Sequence, residues 1–320
     1  MINSLTAAHH KVIVAPLNWG LGHATRCIPL INTLLEGGKE VILASDGEAL
    51  ELLREEFPTL TTESLPGYAV TYKGESLASL LLPNLPKVLK AITREKIVAK
   101  QLWNKHQPDL LISDSRFGFR YRKVKSVIIS HQLHLMSPSP LIGALLNRVN
   151  THLLNAFDAC WVPDDNQHSL SGALSQNPRI KQKIFLGPLS RLSPFVSGDK
   201  NYDVTIILSG PEPARTKLES ELITHFRSTE QELCLIRGTN KQAPLKLSAN
   251  WSIIDRANSL QVNQILKSSA RVISRSGYTS LMDYKALGIG AELIPTKGQP
   301  GQEYLAEYVE GMEGFKRFRF

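Results

Sequence analysis

Short apolar runs, each closed by glycine, proline or polar tips and followed by a stretch of helical period, recur along the whole chain. Residues 11–17 (KVIVAPL) read as a buried strand, as do 41–44, 109–113, 127–130, 159–162 and 184–186. Helical patterns fill the intervals: one starting near Thr25 or Arg26, 48–56 stopping before Pro58, 82–105 with interruptions at Pro83 and Pro86, and 141–155. Strands alternating with helices predict a parallel, doubly wound sheet.

The Pro- and Ser-rich stretch 187–194 (GPLSRLSP) breaks the rhythm, which then restarts with strands at 204–208, 233–237 and 251–254 and helices at 218–226 and 262–267. Two α/β domains are expected, 1–188 and 189–320. From Arg271 to Gln302 the pattern is most compact. Val272 and Ile273 sit in an apolar run that breaks at Ser276-Gly277, a helical pattern continues to Leu287, Gly288 turns the chain, and another apolar run ends at Pro295. In an open α/β sheet the turn after a strand lies at the carboxyl edge, and the next helix offers unpaired N–H groups to a phosphate. A nucleotide is the first candidate ligand.

Composition narrows the setting without choosing a function. With 42% hydrophobic and 21% charged residues over 320 positions, the chain has an ordinary globular balance. Three dispersed cysteines without a CxxC pair suggest neither a zinc site nor a disulfide framework, so a reducing cytoplasm is expected. No apolar run reaches the roughly 18 residues that span a bilayer. A formal charge of +8 favours anionic partners and is compatible with a peripheral position at the inner membrane face. The run Arg116, Arg120, Arg122, Lys123 and Lys125 alternates with Phe117, Phe119 and Tyr121, a pattern that nucleic-acid binders share. A solvated loop is the simpler reading, and no nucleic-acid partner is expected.

Candidate chemistry gathers at strand ends. Gly20 and Gly22 allow the backbone close to a ligand, although the loop is neither a GxGxxG fingerprint nor a P-loop. His23 beside them is a candidate general base, and Asp114, a reserve base, falls on the same predicted rim with His131. Gly210 opens a second turn, with Arg215 as a cationic clamp for phosphate.

The combination of NWGLGHATR, LSGPEPARTKLE and SRSGYTSLMDYKALGIGAELIPTKGQPGQEYLA resembles the MurG-like glycosyltransferases of family 28 and their uncharacterised relatives over most of the chain. That resemblance implies the GT-B architecture: two Rossmann-like doubly wound domains facing a central cleft, the acceptor on the N-terminal side and a UDP-sugar on the C-terminal side. It implies inverting, metal-independent transfer with no resident cofactor, and the absence of a DxD motif agrees. By the same resemblance Ser276 and Gly277 face the donor diphosphate, with Arg215 or Arg275 adding charge. Asp283 holds the ribose hydroxyls and Gln302 contacts the sugar. Glu303 stands where the family has a glutamine, which leaves the sugar open. Gly20, Gly22 and His23 match the acceptor loop, and the acceptor is expected to be lipid-linked or otherwise anionic. An epimerase of the same fold and a non-catalytic nucleotide-sugar or polyanion binder are the alternatives. Only 18 residues follow Gln302, where the family continues through further helices. A shortened second domain, an exposed apolar sheet face or a loose domain pair, and weak or absent activity are expected from that.

Overall fold

The structure, a computed structural model, describes residues 1–68, 77–137, 139–194, 200–210, 212–239, 244–312 and 314–320, with side chains of the helix that begins at residue 77 described from residue 86 onward. Two compact units divide the chain, Met1–Leu189 and Ser190–Phe320.

The first unit runs α1 (Ile2–Leu5), β1 (Lys11–Pro16), α2 (Gly22–Glu36), β2 (Glu40–Ser45), α3 (Gly47–Glu56), β3 (Thr61–Ser64), α4 (Leu77–His106), β4 (Leu110–Asp114), β5 (Lys125–Ile129), α5 (Pro140–Leu154), β6 (Ala159–Val162) and β7 (Lys183–Phe185). Its seven strands lie parallel in the order β3-β2-β1-β4-β5-β6-β7. Val12 and Val14 face the α2–α3 side of the sheet, whereas Ile13 and Ala15 face Ala99 and Leu102 of α4. Both faces are covered, which is why the inner strands read as unbroken apolar runs. Pro16 stands level with Asp114, and Asp114 with Ile129, so the ends of β1, β4 and β5 share one rim.

Four expectations need correction here. Helix α2 begins at Gly22 rather than near Thr25, which brings His23 into its first turn. Helix α4 continues from Leu77 to His106 without the breaks expected at Pro83 and Pro86. Burial of Ala91, Ile92, Ala99 and Leu102 along its inner face outweighs the lost backbone bonds. Strand β3, with the sequence TTES, was not anticipated, because an edge strand pairing only with β2 needs no apolar alternation. Finally, the basic stretch after β4 is not a solvated loop throughout. Arg116 and Phe119 are fully buried.

The second unit contains β8 (Tyr202–Ile207), α6 (Ala214–His225), β9 (Leu233–Ile236), β10 (Trp251–Ile254), α7 (Ser259–Lys267), β11 (Ser269–Arg275), α8 (Tyr278–Leu287), β12 (Ala291–Ile294), α9 (Pro300–Tyr308) and β13 (Phe315–Arg317). The sheet is parallel, in the order β10-β9-β8-β11-β12-β13. Strand β13 extends the sheet beside β12, and Phe318 then packs against the core around Leu222 and Phe226. The rings of Phe318 and Phe320 meet His225 of α6 edge-on, at centroid distances of 5.2 and 5.9 Å. The apolar surface expected to lie bare is thus partly covered by the chain's own last residues.

Candidate functional site

On the rim of the first unit, β1 runs out into a loop whose Gly20 takes φ +78, a conformation that favours glycine. The chain turns there into α2 and sets His23 in its first turn. The imidazole Nδ1 lies 2.8 Å from Oδ1 of Asp114, the last residue of β4. Arg26, three residues on and therefore on the same helix face, grips that carboxylate as a fork, with Nε donating to Oδ2 at 2.5 Å and Nη2 to Oδ1. Its Nη1 lies 3.2 Å from Nδ1 of His131, just beyond β5. Asp114 and Arg26 are buried, while a fifth of the His23 side chain is exposed.

Nδ1 of His23 lies between Asp114 Oδ1 at 2.8 Å and Arg26 Nη2 at 2.9 Å; the ionised carboxylate only accepts, and facing it sets the proton on Nδ1 and the basic lone pair on Nε2. Electrostatics agree with that assignment. Burial and then Arg26 push the His23 pKa below the usual imidazole range, and Asp114 opposes them only in part. His23 is consequently neutral at neutral pH. Burial alone would raise Asp114, yet Arg26 and then His23 outweigh it and hold the carboxyl far below its ordinary range. Asp114 therefore orients the imidazole and is unsuited to the reserve role of base. Burial followed by Arg26 and His23 likewise keeps His131 neutral.

A second buried cation braces this rim from behind. Arg116 donates to the carbonyl oxygens of Pro16 and Pro66 and pairs with Glu95 and Asp46. Asp46 in turn accepts from Asn18 at 3.2 Å, which fixes the residue just ahead of the Gly20 turn.

The rim of the second unit is built differently. Arg275 ends β11, Ser276 and Gly277 follow, and α8 starts at Tyr278 with Gly277 as N-cap and no side chain closing the first turn. The N-terminal end of such a helix favours an anion. Ser276 Oγ donates to the Gln302 carbonyl at 2.8 Å, and Gln302 Oε1 accepts from the Thr296 N–H at 3.0 Å. Glu303 accepts from the Gly298 N–H at 2.9 Å. Ser276, Gln302 and Glu303 therefore tie the loop after β12 to the turn after β11. Arg275 donates from Nη1 to Pro295 O and from Nη2 to Ala214 O, both at 2.9 Å, and its buried Nε has no partner among the described residues. Burial lowers its pKa to about 10. Asp283, further along α8, accepts from Ser190 Oγ at 2.6 Å, and burial raises its pKa to about 6 against the pull of Ser190 and Arg191.

Gly210, at φ +100, opens the turn between β8 and α6. Arg215 behind it is buried and committed to carboxylates: Nε donates to Glu212 at 2.6 Å and Nη1 to Glu219 at 3.0 Å. Glu219 also accepts two bonds from Arg237, each at 2.9 Å. The expected phosphate clamp is thus a member of an internal ion-pair network. The structure unites His23 with Asp114, and Arg275 and Ser276 with the segment of Gln302, while Asp283 sits with Ser190 and Arg191. Arg26 is the residue the sequence reading passed over, and its three-residue spacing from His23 was the available signal. Among the described residues, no cluster of three or more His, Cys, Asp or Glu side chains is placed to hold a metal ion.

No family model matches the chain. A Methanosarcina acetivorans protein described as an uncharacterised glycosyltransferase is 24% identical over 96% of this chain and 85% of its own length. Among solved structures, Acinetobacter baumannii MurG is similar with a TM-score of 0.56 and 15% identity, covering 97% of this chain and 85% of that one. Phytolacca americana UGT2, solved with UDP-2-fluoro-glucose and pterostilbene, is similar with a TM-score of 0.64 and 12% identity, covering 98% and 86%. Two parallel Rossmann-like sheets in this order are the GT-B fold. The chain thus has the GT-B fold and is similar in sequence to a glycosyltransferase, which supports an enzyme of that type.

Proposed function

We propose that the chain transfers a sugar from a UDP-sugar to an acceptor hydroxyl, with inversion and without a metal, using His23 as general base. The observation that carries this reading is the neutral, oriented His23–Asp114 pair beside a glycine turn. The acceptor oxygen attacks the anomeric carbon, the bond from that carbon to the diphosphate breaks, the proton passes to His23 Nε2, and the electron pair leaves on UDP. For the donor we assign the α8 N-terminus, with Ser276, Gly277 and Arg275, to the diphosphate, Asp283 to the ribose, and Gln302 and Glu303 to the side of the sugar. The uncapped helix end and the cation of Arg275 offer stabilisation for the leaving diphosphate. The UDP-2-fluoro-glucose held by the plant enzyme of the same fold supports the choice of nucleotide. Gly210 and Arg215 then serve as scaffold for the turn beside this site.

A lipid-linked acceptor is the class we favour, with weak attachment to an anionic membrane surface. Helices α4 and α5 lie on one side of the first sheet, where Val88 and Leu153 join a common apolar cluster. Lys87, Lys90, Arg94, Lys96, Lys100 and Lys105 are exposed along α4, whose acid Glu95 is buried. Next to them α5 has no acidic residue and exposes Leu141 by 86% and Leu145 by 64%. Cations around aliphatic side chains suit anionic headgroups. No described helix is long and apolar enough to cross a membrane.

Thermal unfolding with a panel of nucleotides tests the donor site, since a ligand of the native state raises its stability. A shift selective for UDP and lost in Asp283→Ala is expected, and no shift with any nucleotide would reject the assignment. For the surface, flotation with phosphatidylcholine vesicles with and without phosphatidylglycerol should show binding only to the anionic ones, weakened in Leu141→Asp/Leu145→Asp. Equal binding to both vesicle types would reject the electrostatic part.

A further inference from the structure

We infer that Arg26 is a positioning residue of the active site: its fork fixes both oxygens of Asp114 and thereby holds His23 with its proton on Nδ1 and its base on Nε2. This inference rests on the assignment of His23 as base. The geometry is specific. Each Asp114 oxygen accepts from a different guanidinium nitrogen, and Oδ1 is shared between Nη2 of Arg26 and Nδ1 of His23. The carboxylate can neither rotate nor turn its second oxygen toward the ring without breaking a charge-assisted bond. The same guanidinium reaches Nδ1 of His131 and, at 3.4 Å, Oγ of Ser115, and its Nη2 lies 2.9 Å from Nδ1 of His23, so that Asp114 Oδ1 is the acceptor both of them crowd around.

Charge makes the second half of the argument. Asp114 is wholly buried, and a buried carboxyl without a cation takes up a proton. Protonated, it no longer demands the Nδ1–H of His23, and the ring is free to flip or change tautomer. Arg26 prevents that, and it also opposes a positive charge on either neighbouring histidine. The groups acting on His23 are Asp114 at the end of β4, Arg26 on α2, His131 after β5 and more distantly Arg116, while Ser115 touches Arg26 and Cys27 touches Asp114. Of these, Arg26 and Arg116 are cations and Asp114 is the anion. Removing the cation bonded directly to Asp114 must raise the proton affinity of the His23–Asp114 pair, whichever of the two takes the proton. Lysine in its place keeps the charge but supplies one point donor where the fork supplies two parallel ones.

A plain structural role, pinning α2 to the sheet, predicts loss of stability only. Titration separates the two roles and needs no substrate. In the full chain, the pH dependence of the His23 Cε1–H signal, assigned through His23→Gln, and of the Asp114 Cγ signal would be followed by NMR in wild type, Arg26→Gln and Arg26→Lys. We expect the pair in Arg26→Gln to take up its first proton about one pH unit or more above wild type, a tenfold or greater rise in proton affinity, with Arg26→Lys between the two. Unchanged titration in folded Arg26→Gln overturns the inference. Should that variant fail to fold, Asp114→Asn is compared with Arg26→Gln/Asp114→Asn, which leaves no unpaired buried charge. His23 should titrate at higher pH in the double variant, and identical midpoints overturn the inference. If the titration behaves as expected and no sugar is transferred, the proposed function fails while the role of Arg26 in setting the pair stands. If sugar is transferred and the titration is unmoved, only the role of Arg26 fails.

Discussion

The two rims solve opposite problems. Around His23 the described polar groups satisfy one another: Asp114 has three charged or polar donors within reach, and the imidazole proton has a fixed acceptor. Around α8 the bonding stops short. Among the described residues the buried Nε of Arg275 has no partner, and Asp283 is a largely desolvated carboxyl whose raised pKa Ser190 and Arg191 offset only in part. A complete network suits a group that must hold one orientation while chemistry happens. An incomplete one suits a surface that a ligand finishes, because the protein alone bears the cost of those exposed demands.

The largest test of this contrast is removal of the proposed base. His23→Ala should lower kcat by about 10² to 10⁴-fold, the usual range for a general base, while the melting temperature changes little because the ring is partly exposed. A pH profile sharpens it. Since the His23 pKa is lowered, the base form persists into mildly acidic solution, and activity should fall only as pH drops through that lowered value. An acid limb above the ordinary imidazole range of about 6.5 would contradict the assignment.

Asp114→Asn comes next and reads mainly as stability. It leaves the Arg26 guanidinium buried without its anion, a change that typically costs about 3–5 kcal/mol. Urea unfolding should show that loss, and a loss well under 1 kcal/mol would mean that the fork is not formed. The sign with pH follows from the depressed carboxyl. Its contribution is present above the unfolded carboxyl value and is lost only in strong acid, so the wild-type advantage over Asp114→Asn should persist throughout the mildly acidic range.

How much of this was legible in the chain depended on what each residue type usually does. Strands β1, β4 and β11 announced themselves, because burial on both faces writes an apolar run into the sequence. His23 and Asp114 stood out as titratable groups at the ends of such runs. Arg26 and Arg116 did not, since an arginine in a helix or a basic loop is ordinarily solvated, and only the tertiary placement of Asp114, Asp46 and Glu95 reveals a buried pair. Arg215 is the reverse case: the carboxylates paired with it, Glu212 and Glu219, stand within one turn on either side in the sequence. The GT-B resemblance pointed to Ser276 and Asp283 as donor-site candidates, but that Ser276 bonds to the Gln302 carbonyl is a fact of loop packing with no local signature.

The smallest expected effect is also the most discriminating for the second rim. Asp283 has a folded pKa of about 6, raised by burial from 3.8. Such a group stabilises the fold fully below its unfolded value and loses that contribution as pH rises through about 6. At pH 8 the ionised carboxylate is therefore a burden, and Asp283→Asn should be more stable than wild type there by about 1–2 kcal/mol, or a few degrees in melting temperature, and equal to it near pH 4. Ribose hydroxyls donating to the carboxylate reverse the balance, because they stabilise the ionised form. The stabilisation of wild type by UDP should consequently be large at pH 8, shrink below pH 6, and be weak at every pH in Asp283→Asn. A UDP shift that is flat with pH in wild type would leave the burial of Asp283 as a fact of packing and remove it from the donor site.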